Sequence, residues 1–493
     1  MSTSVVAGRP WAAASTRPGW PRITLWLLVL GGLGAAIALP EPWQLALGAV
    51  ALIVTIVAFV QPLWVLPLLL LAVPFGSFGR PAATSGEGME LGLSAADLLI
   101  ALLAAGWLAR GVRRRRITLA GGLPVVAVGA MIGLAALSIG YAGDRAAATK
   151  ETLKWLELLL AMVIVVDVVR DRRAALVVVG ALLAAGGAEA AFGVLQFATG
   201  AGPEQFALQG ALRAFGHFEQ PNPFAGYLTT SLPLAGVMAL STANSVRVRL
   251  FALGAGGLIL VGVALSQSRG AWLGALTAAV CLLLMWGRAT RRLFVPGALA
   301  VGLLVALAVS GVLPASILDR LGQTLAYFGV FDVRTVEASA ENWAVVERMA
   351  HWQAGWYMFL DHPWLGVGAG NYAYAYPRYY VGNWPEALGH AHNYYLNMLA
   401  ELGFVGGCLL LALLGLVFVR LGPALVRVGN RPDQTFWRPV LGGAVGGLVV
   451  FSVHNLFDSL FVHSVNVQIG VLLGLGLVAA SHLTRACVSN VAA

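Results

Sequence analysis

The sequence predicts an all-α polytopic membrane protein, and three observations predict it. Of 493 residues 59% are hydrophobic and only 11% are charged, whereas soluble domains hold about 45–50% apolar and about 25% charged residues. The apolar residues gather into runs near the roughly 20 residues that one membrane crossing needs. Sixty glycines accompany them, as suits helices that approach closely within a bilayer.

The runs fall at about 23–39, 43–60, 63–79, 93–110, 121–140, 151–169, 174–195, 223–242, 250–267, 271–287, 293–312, 395–420, 439–457 and 464–483. They predict about 12–14 transmembrane helices, the lower figure applying if short early runs merge or re-enter. The first run follows Arg9, Arg17 and Arg22 in the manner of a signal peptide. Pro40 and Glu41 stand where a small-residue cleavage site would be, so it reads as a retained helix. Ser94 with Asp97 reads as a capping box opening the fourth helix. Lys150, Lys154 and Glu157 follow at i, i+4 and i+7, a spacing that pairs Lys154 with Glu157 on one face. Glu189 lies among small residues that permit tight helix contact.

The net charge of +9 is distributed as membrane anchors rather than as a nucleic-acid surface. With the N-terminus in the cytoplasm, 21 of the 31 basic residues fall inside and ten outside, the pattern of the positive-inside rule. Both termini are then cytoplasmic. Cys281, Cys408 and Cys487 have no paired or CxxC spacing and imply no disulfide framework or zinc finger.

Two outer segments are too polar to be mere connectors: about 196–221, and about 313–394, the longest non-membrane stretch. Within the second, residues 341–360 place Trp343, Val346, Ala350, Trp356 and Leu360 near helical spacing, which predicts an amphipathic helix on the outer leaflet. His362-Pro363 and the glycines of Gly366 to Gly370 break it. Four parts follow: N-terminal transmembrane helices (1–195), central helices with arginine-bearing outer loops (196–312), the large extracytoplasmic loop (313–394) and C-terminal helices (395–493).

Chemistry gathers on the outer side. His217, His351, His362, His390, His392, His454 and His463 all map there, and eight of the eleven tyrosines lie between Tyr357 and Tyr395. Aromatic faces and polar groups crowded on one loop suit a carbohydrate, although interfacial belts also enrich tyrosine. His390, His392 and Asn393 stand directly before an apolar helix. An imidazole there can accept a proton from a hydroxyl at neutral pH, and a helix-capping role is the plainer alternative. HxH with His454, Asp458 and His463 could also supply metal ligands, but no HExxH, DxD or finger spacing supports a metal site. Arg213 and Arg269 lie outside, against the charge bias; a guanidinium binds phosphate oxygens bidentately, and snorkelling is the alternative. A transporter would instead use charges deep within helices, such as Lys154, Glu157 and Glu189.

The stretches Arg213 to Leu228, Ser266 to Leu276 (SQSRGAWLGAL), His362 to Tyr372 (HPWLGVGAGNY) and His390 to Gly407 (HAHNYYLNMLAELGFVGG) resemble those of the O-antigen ligase family, which includes related O-antigen and exopolysaccharide polymerases. The resemblance covers about 211–420 and implies a GT-C-like inner-membrane glycosyltransferase, inverting and metal-independent, with no cofactor. Its donor would be a polyprenyl-diphosphate-linked glycan, and its acceptor lipid A core or another glycan. The essential histidine of the family falls on His392 and the diphosphate-binding arginines on Arg213 and Arg269, with His390, Asn393, Asn222 and His217 in support. A transporter or flippase of a lipid-linked substrate is the alternative of another class.

Overall fold

The computed structural model describes residues 42–75, 93–116, 119, 121–208, 211–218, 220–287, 292, 296, 299, 303, 330–339, 342–427 and 436–489. The helix expected at 23–39, all but three residues of that expected at 293–312, and the start of the large loop lie outside them. The chain divides into two compact units, 1–61 and 62–493. The first contributes one apolar helix, α1 (Pro42–Val60).

The second unit is a helical bundle. A short helix α2 (Leu66–Ala72) precedes α3 (Ala95–Arg113), α4 (Leu123–Ser138), α5 (Arg145–Val168) and α6 (Arg172–Thr199). A two-residue strand pair, Ala207–Leu208 with Ala211–Leu212, leads into α7 (Pro221–Leu240), α8 (Val246–Ser266) and α9 (Arg269–Trp286). After the large loop, which carries α10 (Trp343–Asp361) and α11 (Tyr372–Ala375), come α12 (Tyr394–Arg427), α13 (Trp437–His454) and α14 (Val465–Ser489). The chain is thus an all-α multi-pass membrane protein. Among the described residues seven helices, α3, α6, α7, α8, α9, α12 and α14, are long and apolar enough to cross a bilayer. The expected capping box is present: Ser94 Oγ accepts the Asp97 N–H and the Asp97 carboxylate accepts the Ser94 N–H.

The centre of the bundle is built by α7, α13, α14 and α5, with α9 against α13 and α8 against α6 and α7. Small residues make this possible. A Cβ on Gly443 would lie 2.6 Å from the Leu234 Cα, and one on Gly447 would lie 2.5 Å from the Thr230 carbonyl. On α14, Cβ atoms at Gly470 and Gly474 would meet the carbonyls of Leu158 and Met162 at 2.5 and 2.8 Å. In lipid no hydrophobic effect drives helices together, so backbone approach and dispersion hold this seam.

The charges inside α5 pair differently from the spacing argument. Lys154 is ion-paired with Glu151 and donates to the Phe461 carbonyl at 2.8 Å, whereas Glu157 accepts from the Asn466 side chain at 2.8 Å. The loop before α14 offered Lys154 a carbonyl that helical periodicity could not reveal. The amphipathic helix also differs in detail. In α10, Val346, Met349, Ala350, Ala354 and Met358 are buried against protein, while Trp343, Trp356 and Leu360 remain exposed. The expected single stripe is therefore divided between two faces, because the large loop folds back over one of them.

Candidate functional site

Three segments distant in sequence meet at one end of the bundle: the loop leading into α12, the loop joining α13 to α14, and the middle of α10. His392 Nδ1 lies 3.3 Å from Asp458 Oδ1. Asp458 is buried, and its Oδ1 also accepts the Ser459 N–H at 2.9 Å. Burial raises a carboxyl pKa, but the hydrogen bond from His392 and the neighbouring imidazoles outweigh it, holding Asp458 well below the usual carboxylate range. An ionised Asp458 keeps the proton of neutral His392 on Nδ1 and leaves Nε2 with its lone pair.

The other two rings complete the cluster. His390 Nδ1 accepts the His392 N–H at 3.1 Å, which puts the proton of neutral His390 on Nε2, 3.8 Å from Asp458 Oδ1. Burial, with His392 close by, pushes the His390 pKa down to about 3. His351, on α10, meets His392 edge-on at 5.4 Å, stacks on Tyr376 at 4.8 Å and has its Nδ1 3.2 Å from the Tyr372 hydroxyl. Burial and the two imidazoles push its pKa to about 3 as well. Trp352 donates its indole N–H to the His392 carbonyl at 3.3 Å.

His390, His392 and Asp458 place one potential ligand atom each within 4.8 Å of one another, a spacing that also fits a metal ion. The tautomers oppose it. Ligation through His390 Nε2 would move its proton to Nδ1 and strip the His392 N–H of its acceptor. The remaining members of the set read from the sequence are engaged elsewhere: the His463 ring meets Phe218 at 5.5 Å and His454 packs on Gly270.

The local backbone is held against its preference. Six described non-glycine residues have positive φ, and five of them, Gln267, Leu388, His392, His463 and Ser464, lie in the loops that carry the candidate residues. Each such conformation costs of order 1 kcal/mol and persists where surroundings over-determine it. Those surroundings are identifiable at His392, whose N–H and C=O are both taken. The next residues are fixed too: Asn393 Oδ1 accepts the Leu396 N–H, and the Tyr394 N–H donates to the Asn455 carbonyl at 2.8 Å. Asn393 thus caps α12.

Arg213 is bonded to the end of α8, and Arg269 stands across the α8–α9 turn from that bond. Arg213 donates from Nε to the Ser266 carbonyl at 2.7 Å and from Nη2 to Asn222 Oδ1 at 3.1 Å, and Arg269 opens α9 three residues beyond Ser266. The loop bearing Arg213 is clamped from α6: Gln196 Oε1 accepts the Gly216 N–H at 2.7 Å, and Glu189 accepts from the His217 backbone and ring at 2.7 and 2.9 Å. His217 is further stacked on Phe192 at 4.2 Å, so it fastens the arginine loop. Glu189, read from sequence as a possible transport group, is the other half of that clamp. The start of α9 packs on the end of α13 and on the loop that carries Asp458, since a Cβ on Gly270 would lie 2.9 Å from His454 Cδ2 and 3.6 Å from Phe457 Cβ, next in sequence to Asp458.

Two of the motifs form one brace. Val367 and Gly368 donate to the carbonyls of Ala400 and Glu401 at 3.0 and 2.8 Å, and the Glu401 carboxylate accepts the Gly370 and Tyr372 N–H groups at 2.7 and 3.2 Å. Sequence reasoning singled out Asp458 only as a metal ligand, Tyr372 only as one of the clustered tyrosines, and Trp352 not at all. Asp458 stands 66 residues from His392, and its signal was an acidic residue in a short apolar loop between two helices.

Residues 254–411 match the family model of the O-antigen ligase, about a third of the chain, running from α8 through the first half of α12. The match includes Arg269, His351, His390 and His392; Arg213 and Asp458 lie outside it. No curated protein matches the chain. Over that third the chain is similar to the O-antigen ligase family, and within a multi-pass membrane protein this similarity supports glycosyl transfer of the ligase or polymerase kind.

Proposed function

We propose that this chain transfers a glycan from a polyprenyl-diphosphate carrier to an acceptor hydroxyl such as that of lipid A core, on the outer face of the inner membrane. The single observation that carries the reading is the His392–Asp458 pair. A histidine with Nδ1 held by an ionised carboxylate presents Nε2 as a general base and is stabilised once protonated.

The acceptor oxygen attacks the anomeric carbon as His392 Nε2 takes its proton. The bond from that carbon to the diphosphate oxygen breaks from the opposite side, with inversion. Diphosphate is a good leaving group, so the remaining work is positioning and charge stabilisation. Arg213 and Arg269 serve that end, helped by the N–H groups that open α9, where the helix dipole favours an anion. The enzyme reading is also supported by the partners of the charges within α5 and α6, since Lys154 engages Glu151 and the Phe461 carbonyl, Glu157 the Asn466 side chain and Glu189 the His217 ring and backbone.

The test gives purified protein in lipid a polyprenyl-diphosphate glycan with either lipid A core or more of the same donor. A product on lipid A core, abolished in His392→Ala, supports the ligase. Chain extension without a core product makes the protein a polymerase, and no new glycosidic bond with any acceptor rejects the mechanism.

A further inference from the structure

A second site candidate lies on the large loop, outside the histidine cluster. A cleft of about 460 Å³ opens between the C-terminal half of α10 and the segment that follows α11, lined by Arg334, Tyr357, Asp361, Arg378, Tyr379 and Tyr380. Its volume is that of a small-ligand pocket. Its floor is firm: Val333 and Val381 join the buried cluster of Val346, Met349 and Ala350, and Gln353 bonds the Val333 N–H and the Phe331 carbonyl. Its tyrosine wall is firm too, because the N–H groups of Tyr379 and Tyr380 both donate to the Tyr376 carbonyl, at 2.9 and 3.0 Å.

The lining selects a ligand class. Arg334 is spent on Asp332, which it grips through Nε and Nη2 at 3.0 and 2.6 Å, and the Asp361 carboxylate, which the Tyr379 hydroxyl engages, equals Arg378 in charge, so the cleft carries no net charge that would favour an anion. What remains is tyrosine faces beside fixed donors and acceptors, which suits a neutral sugar: ring C–H groups lie on an aromatic face while hydroxyls bond carboxylate and guanidinium. The cleft is also placed to serve the histidine cluster. Tyr357 is six residues from His351 on α10, about 9 Å of helix rise, and Tyr376, which anchors the tyrosine wall, stacks on His351.

We propose that this cleft is a neutral-saccharide subsite that holds a sugar of the glycan chain beyond the residue undergoing transfer. The proposal rests on the glycosyl-transfer reading and gives the enzyme a way to sense glycan length. The experiment uses full-length protein in lipid nanodiscs, with donors carrying one or several repeat units against a fixed acceptor, then acceptors of two lengths against a fixed donor. Tyr380→Ala and Arg378→Ala are expected to raise KM for the longer glycan about five- to tenfold with kcat kept, the scale of losing one aromatic or polar contact. KM for the one-unit substrate should change less than twofold, and Tyr380→Phe should behave as wild type. The arm in which length matters identifies donor or acceptor. Equal effects on short and long substrates, or none on either, overturn the subsite. Should wild-type protein transfer neither donor, the enzymatic reading fails separately. Binding of the soluble repeat-unit oligosaccharide, which Tyr380→Ala must weaken, then decides the subsite alone.

Discussion

Asp458 Oδ1 stands 3.3 Å from His392 Nδ1 and accepts the N–H of its own neighbour Ser459 with the same oxygen. The carboxylate is thereby fixed relative to two chain segments at once, and the imidazole inherits that orientation. Asp458→Asn keeps the shape and removes the charge, and it leaves His392 free to take the wrong tautomer. A loss of about 10²–10⁴ in kcat with folding intact is the expected result, the range for disabling a positioned base. Turnover assays beside thermal unfolding of the detergent-solubilised variant check it; unchanged turnover would remove Asp458 from the mechanism.

Acid should destabilise the fold above the range where carboxylates titrate. His351 and His390 are pushed from the ordinary 6.5 to about 3, so between those values the unfolded chain binds more protons than the folded one. Stability then rises with pH across that window and is lost as pH falls through it. Unfolding temperatures measured from pH 7 to pH 4 should decline, and the slope should flatten in His351→Gln. A slope unchanged by that substitution would mean that the ring is already solvated.

Chelation should leave transfer intact. The His390 tautomer that accepts the His392 N–H withholds Nε2 from a metal, so activity is expected to survive exhaustive EDTA treatment followed by metal-free buffer. Activity lost to EDTA and restored by a divalent ion would place a cation at the His390, His392 and Asp458 cluster after all.

The arginines should not tolerate lysine. Arg213 uses Nε and Nη2 on two different acceptors, Ser266 and Asn222, a fork that an ammonium cannot reproduce. Arg213→Lys and Arg269→Lys are each expected to lower kcat/KM for the donor by about 10–100-fold, while Asn222→Ala costs only a few-fold. Steady-state kinetics with varied donor concentration separates these outcomes, and full activity in either lysine variant would discount the bidentate role.

The glycines of the loop brace should be intolerant for a different reason. Gly366 and Gly403 have φ of +67° and +63°, and a Cβ on either would fall 2.3 Å from the backbone carbon of Glu401 or Trp364. Gly403→Ala is expected to cost about 2–4 kcal/mol, combining left-handed strain with overpacking. The readout is the unfolding temperature and the yield of monodisperse protein.

Most of the helices were legible because lipid imposes one rule, a long apolar run, that leaves a plain trace in sequence. The capping box at Ser94 was legible because its partners are three residues apart. The candidate site was legible only in part. His392, Arg213 and Arg269 stand in distinctive motifs or on the unexpected side of the charge pattern. Asp458 does not, since its partnership is created by the α13–α14 loop turning back over α12. Lys154 fails for the same reason: its carbonyl acceptor belongs to Phe461, and nothing along α5 announces it. Local spacing identifies neighbours on one element, while contacts between loops depend on how the bundle closes.

The glycine seam has a mechanical consequence. Gly443 and Gly447 let α13 close on the Leu234 Cα and the Thr230 carbonyl of α7 with no room for a further methyl group, so one helix cannot slide past the other without forcing atoms together. The loop that carries Asp458 is fastened to the end of α13, so it sits on a fixed mount. Any opening that the proposed transfer requires then falls to segments not bound into that seam. The bundle serves as the anvil, and the parts that yield lie outside it.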